Sequence, residues 1–252
     1  MEKLSVVIIS FNEEKNIGRC IDSVKEIADE IILLDSHSTD LTVAISESKG
    51  AVVIKETFKG YIQQKNRAVE LASHNFVLSL DADEALDPVL RDSITRAKQQ
   101  FRNPAYQMNR LSNYCGKFIR HGSWYPDAKV RLFDRRSARW GGTNPHDKIV
   151  LDEGIHVERL EGNILHYSYN TISEHVAQNN KFSSLAAESL FEKGKKTNLF
   201  KVFINPLWAF LQSYAIRAGF LDGLFGLVIA IQIAHLTFLK HLKLYLLWQS
   251  GK

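Results

Sequence analysis

The sequence predicts an α/β protein in which a doubly wound sheet is followed by a mixed sheet region and a helical C-terminal extension. Three observations predict this fold class. Strand-length apolar runs alternate with helix-length amphipathic patterns through about the first hundred residues. Short strands broken by Gly, Pro and Asn come next, and long apolar stretches at helical spacing end the chain. With 252 residues, 45% of them hydrophobic, the chain can bury a full core.

The first unit of the pattern is a strand followed by a helix. Leu4–Ser10 is a nearly continuous β-branched run, which is typical of a central parallel strand covered on both faces. Asn12 is predicted to cap the following helix, with Glu13 and Glu14 in its first turn. Apolar residues then recur at helical spacing on one face, at Ile17, Ile21, Val24 and Ile27.

The same alternation continues through two more strand–helix pairs and a fourth strand. Asp87 and Pro88 then start another helix, which closes the first half near residue 103. Residues 105–169 predict a mixed sheet with loops, and residues 171–193 predict an amphipathic helix. The strands are predicted at Glu30–Asp35, 51–56 and 76–80, and the helices at 40–49 and 62–72.

The C-terminal part of the chain differs from the rest in charge. Residues 1–192 carry 24 basic and 27 acidic side chains, whereas residues 193–252 carry 8 basic and 1 acidic. Because these lysines flank long apolar runs, the tail predicts contact with an anionic membrane surface and not with nucleic acid. The uncharged run 223–239 has 17 residues, short of the ~20 that cross a bilayer, so we expect it to lie on the membrane or dip into it. The alternative to membrane contact is that these helices pack against the catalytic domain or against a second subunit.

Two cysteines, Cys20 and Cys115, show no pairing pattern, and no charged-then-apolar leader precedes the first strand. These features predict a reduced, cytoplasmic compartment.

The sharpest local feature is a pair of aspartates after a buried strand. Asp81 and Asp83 follow the run 76–80 directly, at the carboxyl end where open α/β sheets bind ligands. Hard divalent cations prefer oxygen ligands and often bridge a carboxylate to a diphosphate. Asp83 is therefore the candidate metal ligand, and Asp81 is a candidate contact for a donor ribose or a metal-bound water. The alternative is an acidic turn that leads into the helix capped by Asp87.

Two further residues strengthen the ligand-binding interpretation. Asp35 ends another strand of the same half, so that two strands place carboxylates at one edge of the sheet. Lys65 opens a helix near this edge and could neutralise a phosphate as a point charge. An exposed helix face explains Lys65 almost as well.

Five motifs in order carry a resemblance to a known family: VVIISFNEEKNIGRCIDSV, EIILLDSHSTDLT, FKGYIQQKNRAVELA, SLDADE and WGGTNPHDKI. The chain resembles family 2 glycosyltransferases of the GT-A fold, and among them the bacterial lipopolysaccharide-core type of glucosyltransferase. The resemblance runs from residue 4 to about residue 245. It implies a GT-A catalytic domain over 1–192, with a nucleotide-sugar-binding half (1–103) and an acceptor-binding half (104–192), and a membrane-associated tail over 193–252.

For the donor side, the resemblance implies that the first loop and the aspartate of the second strand cradle the nucleotide base. These positions are Phe11, Asn12, Glu13 and Asp35. It also implies Mg²⁺ or Mn²⁺ at Asp83, and a nucleotide sugar as donor, UDP-glucose or a close relative. His166, near the end of a short strand, is a candidate nitrogen ligand of the same metal. The alternative, which is commoner for histidine, is a packed or capping side chain.

For the transfer step, inversion requires a general base that takes the proton of the acceptor hydroxyl. The resemblance places this base at Asp147, directly after His146, where related enzymes commonly show glutamate. Pattern alone would make Asp147 a loop aspartate in a Gly- and Pro-rich turn.

The resemblance further implies an acceptor-binding loop in GSWYPDAKVRLF. Trp124 could stack on a sugar face, and Arg131 could meet a phosphate. Asp127 and His146 complete the predicted acceptor set. The implied acceptor is lipid-linked or a lipopolysaccharide core, and the implied location is the cytoplasmic face of the inner membrane, with a homo-oligomer left open.

Two other functions compete with this interpretation. A sugar nucleotidyltransferase would share the α/β half and the metal, but SFNEEKNIG is not the Gly-rich phosphate loop that such enzymes usually carry. A membrane-associated scaffold that binds nucleotide sugars without turnover would keep the fold and lose the need for Asp147. A nicotinamide dehydrogenase is excluded, because no Gly-x-Gly-x-x-Gly follows the first strand.

Overall fold

A computed structural model describes residues 2–143 and 146–250. The chain divides into two compact units. The first contains Met1–Arg110 and Asp127–Tyr167, and the second contains Leu111–Pro126 and Ser168–Lys252.

The first unit begins with four parallel strands, which confirms the doubly wound prediction. Their order is β3-β2-β1-β4, and the register pairs Ser10 with Asp35 and Ile9 with Asp81. The carboxyl ends of β1, β2 and β4 therefore meet at one edge of the sheet. The elements are β1 (Leu4–Ser10), α1 (Ile17–Val24), β2 (Glu30–Asp35), α2 (Thr42–Ser48), β3 (Val52–Lys55), α3 (Tyr61–Leu71) and β4 (Phe76–Asp81).

The sheet becomes mixed beyond β4, as the sequence predicted. Beside β4 the order continues β8-β6-β11-β5, and β9 and β10 form a separate antiparallel hairpin. In chain order the further elements are β5 (Glu84–Leu86), α4 (Pro88–Gln99), β6 (Ala105–Tyr114), β7 (Lys117–Phe118), β8 (Ala128–Asp134), β9 (Ala138–Thr143), β10 (His146–Leu151) and β11 (Val157–Tyr169).

Burial on both faces of β1 explains its unbroken apolar sequence. Leu4, Val6 and Ile8 belong to one hydrophobic cluster, whereas Val7 belongs to the other. Because successive side chains of a strand point to opposite faces, a strand covered on both sides needs apolar residues throughout.

The two predicted helix caps had different outcomes. Asp87 caps α4 as predicted, since its side chain accepts a hydrogen bond from the Leu90 backbone N–H at 2.7 Å. The Asn12 prediction was wrong, because α1 begins only at Ile17. Asn12 has φ of 55°, and its side-chain oxygen accepts from the backbone N–H of Thr39 at 2.8 Å. A long-range contact between two loops therefore takes the place of the local cap.

The second unit contains three long helices: α5 (Ile172–Glu192), α6 (Leu199–Leu211) and α7 (Leu224–Gln249). The capping box of Thr171 and Glu174 starts α5 close to the predicted residue. Helix α7 packs against both α5 and α6. Polar contacts join them, including Asn179 Nδ2 to the Gln232 side-chain oxygen at 2.9 Å and Lys243 Nζ to Asn180 Oδ1 at 2.9 Å.

Helix α7 is longer than the uncharged run from which it was predicted. Its 26 residues continue past Lys240 and Lys243, and it is the one helix in the described part of the chain that is long and apolar enough to cross a membrane. The prediction that this segment is too short to span therefore does not hold. Length and composition alone do not establish a span, because helices packed inside soluble proteins have the same properties.

Candidate active site

The loops that follow β1 and β2 form one hydrogen-bonded network around Asp35. The carboxylate of Asp35 is fully buried and accepts from Ser10 Oγ at 2.9 Å and from the Ser38 backbone N–H at 2.8 Å. Ser38 Oγ in turn accepts from the backbone N–H of Asn12 at 2.8 Å. The structure thus brings together Asn12 and Asp35, two of the residues predicted to hold a nucleotide base.

Phe11 and Glu13 flank Asn12 in the same loop. The ring of Phe11 is 58% exposed, so one face can receive a planar ligand. Burial raises the pKa of Glu13, a hydrogen bond from Asn16 opposes this, and the charges of Asp83, Asp40 and Asp81 raise it further. Carboxylates from three segments of the chain therefore crowd the carboxyl edge of the sheet.

Asp81 is held by two buried cations. Lys65 Nζ lies 2.9 Å from Asp81 Oδ1, and Arg131 Nη2 lies 3.2 Å from Asp81 Oδ2. Burial by itself would raise the pKa of Asp81, but the charges of Lys65 and Arg131 outweigh it and hold the pKa well below its usual value. Asp81 is consequently ionised at every physiological pH.

Asp83 lies beside His166, the residue predicted to share its metal. Asp83 Oδ2 and His166 Nε2 are 3.1 Å apart, and the backbone N–H of Tyr167 donates to the Asp83 carbonyl at 2.9 Å. The antiparallel pairing of β5 with β11, which sets His166 opposite Glu84, fixes this approach. Among the described residues no group of three or more His, Cys, Asp or Glu side chains could hold a metal.

Asp147 is placed by the β9–β10 hairpin. It lies opposite Gly142, whose φ of 99° is a conformation that favours glycine. The hairpin is attached to α3 because the side chain of Asn66 makes two 2.9 Å hydrogen bonds with the backbone of Trp140. Asp147 Oδ2 lies 2.8 Å from Lys65 Nζ. Lys65 therefore bridges the aspartate of β4 and the predicted general base.

A cavity of about 460 Å³ adjoins these residues. Five cationic side chains line it, against two carboxylates. Lys65 and Arg131 are buried, and the Nε and Nη1 atoms of Arg131 have no hydrogen-bond partner among the described residues. The charged lining residues are Lys65, Asp81, Arg110, Lys129, Arg131, Asp147 and Lys148.

The remaining predicted acceptor residues are dispersed. Asp127 pairs with Arg110 at 2.9 Å and with Lys129 at 3.0 Å, and so contacts two cations of the cavity wall. Trp124 belongs to the second unit, where its ring packs edge-on against Tyr114 at 5.6 Å between centroids. The side chain of His146 lies outside the described residues.

Three residues of the site, Glu84, Arg110 and Trp140, were not predicted from the sequence. Glu84 is almost fully buried and accepts from Arg131 at 3.0 Å, and Arg110 approaches it at 3.8 Å. The Trp140 ring lies 4.3 Å from Lys65 Nζ. The sequence does carry a signal for Glu84. It directly follows SLDAD and precedes Ala85 and Leu86, and a buried glutamate needs a charged partner.

Comparisons with known proteins identify a family. The sequence model described as Glycosyl transferase family 2 matches residues 5–160. An uncharacterized glycosyltransferase of Rickettsia typhi is 36% identical over 255 residues, covering 97% of this chain and 87% of the relative. The lipopolysaccharide core biosynthesis glycosyltransferase LpsC of Rhizobium meliloti is 30% identical over 250 residues, covering 96% of this chain and 92% of LpsC.

Similarity to solved structures is weaker. Glucosyl-3-phosphoglycerate synthase of Mycobacterium tuberculosis, crystallised with Mn²⁺ and UDP-glucose, aligns with 78% of this chain and 81% of its own. The TM-score is 0.49 at 16% identity, a similarity too low for any residue-level comparison.

Proposed function

Because the chain belongs to glycosyltransferase family 2, and is therefore a glycosyltransferase, we propose that it transfers glucose from UDP-glucose to a lipopolysaccharide-core or other lipid-linked acceptor with inversion. The observation that carries this proposal is the arrangement around Lys65. The same ammonium group contacts Asp81, at the ligand-binding edge of the sheet, and Asp147, on the hairpin beside the cavity. A donor-binding carboxylate and a general base are thus held on either side of one cation.

The donor nucleotide is assigned to the loops after β1 and β2. Phe11 offers an exposed ring for stacking, and the network of Asn12, Ser38 and Asp35 presents a preformed polar surface for a base. Asp81, kept ionised by Lys65 and Arg131, can accept hydrogen bonds from ribose hydroxyls. Preformed contacts of this kind reduce the entropy lost on binding.

Asp83 and His166 are the residues that would hold Mg²⁺ or Mn²⁺. Asp83 fits this group because magnesium is commonly bound through one or two carboxylates together with phosphate oxygens and water, and His166 would add a nitrogen ligand. Burial raises the pKa of Glu13, and the charges of Asp83, Asp40 and Asp81 raise it further, so negative charge is concentrated at this edge and favours a cation there. When bound, the metal would stabilise the negative charge of the departing diphosphate.

Asp147 is proposed as the general base. Its carboxylate accepts the proton of the acceptor hydroxyl while the hydroxyl oxygen bonds to the anomeric carbon, and the bond from that carbon to the diphosphate oxygen breaks. UDP carries away the bonding electron pair. Lys65 Nζ, 2.8 Å from Asp147 Oδ2, holds this carboxylate beside the cavity.

The cavity lining favours an acceptor that carries negative charge. Five cations against two carboxylates suit a phosphate or carboxylate group near the accepting hydroxyl. The Nε and Nη1 atoms of buried Arg131, which have no partner in the described part of the chain, are N–H donors available to such a group. The name of the relative LpsC, which refers to the lipopolysaccharide core, supports an acceptor of this chemistry.

The anomeric configuration of the glucose in the product tests this proposal. The full chain is incubated with Mn²⁺, radiolabelled UDP-glucose and lipopolysaccharide from a deep-rough strain, and the product is analysed by NMR. We expect a β-linked glucose, because inversion converts the α linkage of the donor. Acceptor from which phosphate has been removed should react more slowly, and GDP-mannose should not replace the donor. An α-linked product would contradict an inverting mechanism.

A further inference from the structure

Helix α6 has an apolar face that no described residue of the second unit covers. Its exposed apolar side chains follow one another at alternating steps of one and three residues, so they occupy one side of the helix. The opposite side packs inward through Val202 and Pro206. Phe200 is 70% exposed and Phe203 61%. The exposed set is Leu199, Phe200, Phe203, Ile204, Leu207, Trp208 and Leu211.

The apolar face continues into the turn between α6 and α7. Ile216, Phe220, Leu221 and Leu224 are each at least half exposed. Soluble monomers rarely expose so many large apolar side chains together, and patches of this kind mark surfaces that contact a protein or a membrane. Helix α7 packs against both α5 and α6, and polar contacts such as that between Asn179 and Gln232 join it to α5.

The charge around this face distinguishes between a lipid and a protein occupant. Residues 193–252 carry 8 basic side chains and a single acidic one, Asp222. Asp222 is buried and accepts hydrogen bonds from the backbone N–H groups of Arg120 and His121 at 3.0 and 2.8 Å. The surface of this segment therefore presents positive charge without exposed carboxylates. A second copy of the chain would bring like charge against like charge, whereas an anionic lipid surface would neutralise it.

We propose that α6 and the turn after it, residues 199–224, form a membrane-docking surface that inserts in the plane of an anionic bilayer. The apolar side chains enter the boundary between headgroups and acyl chains, and the flanking lysines contact lipid phosphates. Trp208 is exposed on the same face, and tryptophan is enriched at the membrane–water interface. This attachment is peripheral, is made through α6 and the turn after it, and does not depend on which sugar or acceptor the enzyme uses.

The test is flotation of the full chain with vesicles of phosphatidylcholine alone and of equal parts phosphatidylcholine and phosphatidylglycerol. We expect strong binding to the anionic vesicles, weak binding to the neutral ones, and release by added salt. The double variant Phe200→Ser, Phe203→Ser should bind at least about tenfold less, since each phenylalanine loses the free energy of apolar burial. Val52→Ser with Val89→Ser, both exposed in the first unit, should bind like the unaltered chain.

A second measurement, tryptophan fluorescence, reports insertion of the surface into vesicles without weakening its binding. Trp208 fluorescence should shift to shorter wavelength when anionic vesicles are added, and Trp208→Phe should remove most of that shift while retaining flotation. Absence of vesicle binding, or unchanged binding of the Phe200 and Phe203 double variant, would overturn the proposal. It would also be overturned if the unaltered chain were a dimer that the double variant converts to monomer, because the face would then join two copies.

Discussion

Replacing Asp147 by asparagine is expected to lower the rate of sugar transfer by roughly a thousandfold, because an amide cannot accept the proton of the acceptor hydroxyl. The substitution keeps the shape of the side chain, and the β9–β10 pairing that places it depends on backbone groups. Donor binding should therefore change little. The measurement is the initial rate of transfer from UDP-glucose, together with the dissociation constant for UDP by calorimetry.

A control for this variant lies at the far end of the same hairpin. Asp152, just after β10, is 56% exposed and only loosely paired with Arg139 at 3.8 Å, so Asp152→Asn should transfer at the unaltered rate. Near-normal transfer by Asp147→Asn would remove Asp147 as the base. Equal loss of UDP binding and of transfer would instead make Asp147 a donor-binding residue.

Replacing Asp83 by alanine should abolish the part of donor binding that depends on metal. Loss of even an outer partner of a metal ligand commonly costs ten- to a hundredfold in metal affinity, so removal of the ligand itself should cost at least about a hundredfold. His166 alone then remains of the proposed pair. The measurement is calorimetric titration of UDP in Mn²⁺ and in chelator, where the variant should show the same weak affinity in both.

The control for Asp83→Ala is Asp92→Ala on α4, where the aspartate is exposed to solvent. Its UDP affinity should retain the full dependence on Mn²⁺. An Asp83→Ala protein that bound UDP more tightly in Mn²⁺ than in chelator would show that the metal is held elsewhere.

Several features followed directly from the sequence, because they depend on local pattern. The period of the apolar residues predicted the parallel strands and the mixed region, and the family, the GT-A α/β fold and the enzyme class are confirmed. Asp35, Asp81 and Asp83 could be selected because they follow buried strands, and the carboxyl ends of parallel strands meet at one edge.

Other features depend on contacts between distant parts of the chain and have no local signal. Lys65 and Asp147 are 82 positions apart, and no periodicity predicts that one ammonium group joins the latter to Asp81. Asn12 resembles a helix cap because asparagine favours that position, but its partner lies in the loop after β2. The exposed face of α6 was hidden for a similar reason. Its sequence is apolar on both sides, and only packing shows which side is covered.

We propose that the carboxyl edge of the parallel strands binds a uridine nucleotide sugar with a divalent metal. The most direct test is the melting temperature of the unaltered chain with UDP, GDP, ADP and CMP and their sugars, each in Mn²⁺ and in chelator, since ligands that bind the native state raise it. We expect a rise with UDP and UDP-glucose that disappears in chelator. No rise with any nucleotide would exclude this donor site, and a rise that is unaffected by chelator would exclude the metal site.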